Sequence, residues 1–271
     1  MFYLILFLIF VFGLTIGSFL NCLIWRLYTD ESLWGRSACP KCKNKIAWYD
    51  NIPVLSFIFL KAKCRVCQEK ISWQYPLVEL AAGILFALSF WIHFGFLANL
   101  SPDALLHHSF NWRDYLLILR DWFFISIMIV VFVYDWRWYL VSDTAVLPSC
   151  LIVLIINLFL DLEWKNLLFS GIIGASFFLI QFIVSRGRWI GGGDIRLGLL
   201  MGLGLGWPYI LVAIFIAYFI GSIIGISLIL IGRKKMDSQI PLGVFLSVAS
   251  IIVLFWGREI IEWYLKHFLF I

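Results

Sequence analysis

Long apolar runs, unbroken and without alternation of polar and apolar residues, dominate this chain. In lipid every backbone N–H and C=O must find a partner inside the protein, so such runs fold as helices. A membrane barrel would instead show strands that alternate with a period of two. A crossing helix needs about 20 apolar residues. Candidate spans are about 2–25, 77–98, 115–134, 140–160, 166–184, 195–206, 208–231 and 240–256. The division of 195–231 falls at Gly206-Trp207-Pro208, because glycine and proline end or kink helices. Residues after Trp256 read as a continuation of the last span or an interfacial helix. The expected fold is an all-α polytopic membrane protein of about eight transmembrane helices, with a small cytoplasmic zinc-ribbon-like module between spans one and two.

Composition agrees with that class. The chain is 63% hydrophobic and 14% charged, with mean hydropathy +0.97. A soluble domain would be about half apolar and about a quarter charged. The net charge of +5 does not imply nucleic-acid binding, because cytoplasmic loops of membrane proteins are basic. The first run has no basic residue before it and Arg26 after it, which reads as a retained span with its N-terminus outside. With that orientation the inner segments 26–76, 135–139, 185–196 and 232–239 hold sixteen Lys and Arg, against five in the outer segments. The bias supports eight spans, and it includes the Arg233-Lys234-Lys235 cluster.

Two aspartates then stand out. Asp135 ends the run IMIVVFVYD, and Asp194 ends the glycine run of RWIGGGD. The topology puts both on the cytoplasmic side at one depth. A carboxylate beside hydrocarbon is costly and is a functional candidate by default. Two of them make a dyad that can share a proton and activate water, the chemistry of an aspartic protease. Gly191, Gly192 and Gly193 let a backbone approach Asp194 closely. Asp143 follows Ser142 and precedes Thr144, a pattern for helix capping as well as for support of the site.

The segment 26–76 holds Cys39-Pro-Lys-Cys42 and Cys64-Arg-Val-Cys67. Two C-x-x-C pairs on a basic loop in a reducing compartment read as a four-thiolate zinc site. Cys22 and Cys150 lie within spans and read as packing residues. No internal repeat is apparent. The histidines His93, His107, His108 and His267 form no H-E-x-x-H, and there is no G-x-S-x-G and no P-loop.

The ordered motifs resemble the type IV prepilin peptidases, the leader peptidase/N-methyltransferases. They are Gly17-Ser18-Phe19-Leu20-Asn21 with Arg26, the two cysteine pairs, Asn51-Ile52-Pro53, Tyr75-Pro76-Leu77-Val78-Glu79-Leu80, Asp135 with Asp143, Gly191-x-Gly193-Asp194, and Ile240-Pro241-Leu242-Gly243. This resemblance implies a membrane aspartic endopeptidase of the bacterial inner membrane, acting at the cytoplasmic face on the basic leader of prepilins or pseudopilins. It implies methylation of the new N-terminus with S-adenosylmethionine. Asp135 and Asp194 become the catalytic pair, supported by Gly191, Gly193 and Asp143. Cys39, Cys42, Cys64 and Cys67 become the metal ligands. Asn21, Arg26 and Glu79 match family positions with a methyltransferase or structural role. The domains expected are 1–25 as first span, 26–76 as the four-cysteine module and 77–271 as the peptidase. Partners are the prepilin substrate and the lipid bilayer, with no nucleic acid. Two other classes remain: a non-catalytic scaffold of a pilus or secretion system, and a transporter using the carboxylates as a proton relay.

Overall fold

The computed structural model describes residues 2–32, 34–96, 111–232 and 239–268. His107-His108 and Arg233-Lys234-Lys235 lie outside them. The described chain is helical, with α1 Phe2–Thr29, α2 Leu55–Phe59, α3 Gln74–Phe94, α4 Trp112–Trp138, α5 Asp143–Phe159, α6 Trp164–Ser185, α7 Gly192–Leu205, α8 Tyr209–Leu230 and α9 Leu242–Phe268. A 3₁₀ turn covers Trp48–Asn51. Six of these helices are long and apolar enough to cross a membrane: α1, α3, α4, α6, α8 and α9. Helix α5 is apolar but shorter, at 17 residues. Helix α7 has 14 residues, about 21 Å at about 1.5 Å per residue. The protein is a multi-pass, all-α membrane protein.

Two compact units divide at Ile118/Leu119, inside α4. In the first unit α1 and α3 pack antiparallel. A Cβ on Gly13 would lie 2.7 Å from Gly83 Cα, and one on Gly17 would lie 2.6 Å from Glu79 Cα. Only glycine permits such an approach of two backbones, the small-residue packing used between membrane helices. The segment between α1 and α3 forms the cysteine module.

The second unit is built around α7. Helices α5, α6, α8 and α9 all pack on it. Phe124 of α4 completes the enclosure, with its ring 2.3 Å from where a Cβ on Gly204 would stand. The core joins Phe124 and Met128 of α4, Val146 and Val153 of α5, Phe178 of α6, and Leu197, Leu200 and Met201 of α7, all fully buried. Against α6 the fit is backbone on backbone. Gly174 faces Gly198, and Gly202 faces Ser170 and Gly171. A short helix that meets protein on its flanks need not be long enough for lipid.

The helices extend past several expected ends. Helix α4 runs on through Trp136-Arg137-Trp138, because residues suited to the membrane interface are still good helix residues. Helix α9 continues to Phe268 with one non-helical residue, Trp256, at the point where the apolar run was expected to end.

Candidate active site and metal centre

Asp135 sits near the C-terminal end of α4 and is buried to 5% exposure. Its Oδ2 accepts the Val244 N–H at 3.2 Å, from the first turn of α9. The free amides and positive dipole end of a helix N-terminus suit an anion there. Gly243 makes this possible, since a Cβ on it would stand 2.9 Å from Asp135 Oδ2. Asp194 is buried to 8% and belongs to the first turn of α7. Its Oδ2 accepts the Gly191 N–H at 3.0 Å, capping its own helix. Each carboxylate thus rests on a helix N-terminus, and the two lie within electrostatic reach of each other.

The three glycines before Asp194 differ. Gly193 is needed for a close approach, because a Cβ there would run into Val141 Cβ at 2.6 Å. A Cβ on Gly192 meets nothing within 4 Å, so that face is open to a ligand backbone. Asp143 does not cap α5. The N-cap is Ser142, which makes no side-chain capping bond, and Asp143 instead forms an ion pair with Arg196 of α7. The pair fastens the start of α5 to the turn that carries Asp194.

Sequence reasoning missed Gln181 and Tyr218. The Tyr218 hydroxyl of α8 donates to Gln181 Oε1 of α6 at 2.9 Å, and Tyr218 lies within electrostatic reach of Asp194. Polar side chains inside two otherwise apolar runs were the available signal.

In the first unit the four sulfurs of Cys39, Cys42, Cys64 and Cys67 lie within 4.8 Å of one another. Cys39 and Cys67 are 3.9 Å apart. Four thiolates on a tetrahedral zinc would stand about 3.8 Å apart, from a Zn–S bond of about 2.3 Å. The group can therefore hold a metal ion. Its two halves repeat, contrary to the expectation of no internal repeat. Cys39 N–H donates to Asn44 O and Lys43 N–H to Cys39 O, just as Cys64 N–H donates to Glu69 O and Gln68 N–H to Cys64 O. Lys43 and Gln68 both take positive φ, +57° and +59°. The bridges Ala38–Lys45 and Lys63–Lys70 close the two turns in the same register. Both halves read C-x-x-C-x-x-K-I. Backbone N–H groups of Cys67 and Val66 pull the Cys64 thiol down to about 7, while desolvation and the neighbouring sulfurs push the Cys67 thiol up to about 11, so the first thiolate of the group resides on Cys64. Asp50 clamps the second turn through a two-pronged pair with Arg65, at 2.6 and 2.8 Å.

The remaining sequence candidates are also in this unit. Arg26 Nη2 donates to Gly35 O at 2.9 Å. Asn21 Nδ2 donates to Tyr75 O at 3.0 Å, and Asn21 Oδ1 accepts from Gln74. Glu79 Oε2 accepts the Val54 N–H at 2.7 Å. Cys150 is buried and Cys22 half-buried, as packing residues would be.

Two family models match the chain: the bacterial peptidase A24 N-terminal domain over residues 11–93, and the type IV leader peptidase family over 122–226. The prepilin leader peptidase/N-methyltransferase of Aeromonas hydrophila is 30% identical over 305 residues, covering 97% of this chain and 94% of that protein. That of Bacillus subtilis is 30% identical over 261 residues, covering 96% and 97%. The chain belongs to the type IV leader peptidase family. A third member of that family, from Stutzerimonas stutzeri, is 29% identical over 286 residues, covering 94% of this chain and 92% of its own. No solved structure matches. The N-terminal match encloses the four cysteines, and the leader peptidase match encloses both aspartates. It ends before Gly243 and Val244, which hold Asp135.

Proposed function

We propose that the chain is a membrane aspartic endopeptidase of the bacterial inner membrane. It removes the basic leader of prepilins or pseudopilins at the cytoplasmic face and methylates the new N-terminus. The observation that carries this reading is the pair Asp135 and Asp194, two buried like-charged groups within reach of each other, each held by helix N-terminal amides. Like charges so close favour one shared proton. The ionised member takes a proton from water as the water oxygen attacks the scissile carbonyl carbon. The protonated member donates its hydrogen bond to the carbonyl oxygen. Collapse of the tetrahedral species breaks the C–N bond and returns a proton to the leaving amine. The open face at Gly192 admits the extended substrate backbone.

Cys39, Cys42, Cys64 and Cys67 would hold zinc, which fixes the fold of the module. S-adenosylmethionine would supply an electrophilic methyl group to the freed amine, which loses a proton as the thioether S-adenosylhomocysteine leaves. The basic bias of the inner segments supports an N-terminus outside and a site facing the cytoplasm.

The test is incubation of the purified protein with a prepilin, with and without S-adenosylmethionine, followed by mass spectrometry. Leader loss plus one methyl group is expected. Asp135→Asn and Asp194→Asn should each lower cleavage by about 10⁴ or more while the protein stays inserted. Wild-type cleavage by either variant refutes the dyad.

A further inference from the structure

Val54 stands in an uncomfortable conformation in the first unit. It is β-branched yet sits at φ +60°, ψ −50°. The Leu55 N–H donates to Pro53 O at 2.6 Å across it. This is a γ-turn of the rare strained hand, in which a branched side chain is a marked outlier. Such strain persists only where surrounding structure enforces it. The enforcing group is Glu79. The Val54 N–H has no acceptor inside the turn and donates to Glu79 Oε2 at 2.7 Å. Glu79 is buried to 7% exposure in an apolar helix, and the Ser18 hydroxyl of α1 bonds the same carboxylate. Gly17 brings α1 onto the backbone of Glu79 itself. A buried carboxylate on an apolar helix is costly, and here it is spent on one turn of the module. That turn lies between the two cysteine pairs in the chain and is tied to α3 through Glu79.

We infer that Glu79 is a positioning residue for methyl transfer, a latch that holds the strained Pro53–Val54–Leu55 turn of the metal module on the paired helices α1 and α3. The inference rests on the bifunctional reading above. It assigns Glu79 to the second activity because its unit is matched by a family model separate from the one that encloses both aspartates. Glu79 acts through the turn and does not touch the transferred methyl group.

The experiment uses the full chain in detergent and separates three readouts. Cleavage is followed on prepilin. Methylation is followed on already cleaved pilin, so that lost proteolysis cannot mask it. Amide exchange is followed over residues 53–58. Glu79→Ala should speed that exchange by roughly ten- to a hundredfold, the worth of a charged hydrogen bond. It should lower methylation by about tenfold or more while cleavage stays within about twofold. Glu79→Gln keeps an acceptor for the Val54 N–H and should retain most methylation. Val54→Gly in the Glu79→Ala background should restore part of it, because glycine adopts positive φ without strain. Unchanged exchange in Glu79→Ala overturns the latch, and unchanged methylation overturns its role. Equal loss of cleavage and methylation, or no rescue by Val54→Gly, marks a general packing defect and also overturns it. If Glu79→Ala does not accumulate, Glu79→Asp, whose shorter side chain draws the acceptor back from the Val54 N–H, takes its place with and without Val54→Gly: fast exchange with slower methylation that glycine repairs supports the role, and unchanged exchange or unchanged methylation overturns it. A wild type that cleaves but never methylates refutes the bifunctional reading, while the exchange data still decide the latch.

Discussion

Replacing Gly243 by alanine tests the placement of Asp135 without touching either carboxylate. The new Cβ would stand 2.9 Å from Asp135 Oδ2, where ordinary contact begins at 3.4 Å. The carboxylate must therefore move by about 0.5 Å, away from the Val244 N–H that holds it. Catalytic groups must be held within about 0.5 Å of the productive geometry, and a misplacement of about 1 Å costs about 10² in rate. Half that displacement gives a loss in kcat of about tenfold. Stability should move little, because alanine is favoured over glycine within a helix by up to about 1 kcal/mol, which offsets the crowding. The assay is prepilin cleavage at saturating substrate, beside a melting curve in the same detergent. The expected signature is lower kcat, unchanged KM and an unchanged melting temperature. Wild-type kcat in a folded Gly243→Ala protein would refute the reasoning, since Asp135 would then not depend on the start of α9.

Three further expectations concern packing and the metal module. Gly202→Ala would place a Cβ 2.3 Å from Ser170 O, a backbone atom that cannot step aside. It should cost about 1–3 kcal/mol, read as a lower melting temperature. Cys42→Ser should release the metal, measured by elemental analysis, and impair methylation more than cleavage; equal loss would mean that the module is needed for folding. Ala62 holds φ +57° beside Lys61 at +50°, just before the second cysteine pair. Ala62→Gly should stabilise the module by about 1 kcal/mol, seen as slower metal loss to a chelator.

The apolar helices were legible in the sequence because lipid permits few alternatives to a continuous apolar run. The metal group was legible because two C-x-x-C pairs report a local geometry. What escaped was long-range. Asp143 looked like a cap from its neighbours, but its partner Arg196 lies 53 residues away, and no local pattern announces that pairing. The turn at Val54 was hidden because valine is the wrong residue for its backbone, and only Glu79, 25 residues on, accounts for it. The repeat in the cysteine module lies in backbone hydrogen bonds more than in side chains; the shared C-x-x-C-x-x-K-I is too short to be noticed alone. Asp135 and Asp194 could be paired by depth, yet their anchoring on Val244 and Gly191 needed coordinates.

The enclosure of α7 bears on how such a protein lives with its solvent. Eight of the fourteen residues of α7 are buried and the other six partly so, and five other helices flank it. It offers little of its surface to acyl chains. When a membrane thickens, thins or comes under tension, helices that touch lipid tilt to follow it. An axle surrounded by protein does not. Asp194 rides on that axle, so its depth is set by protein contacts more than by the surrounding bilayer.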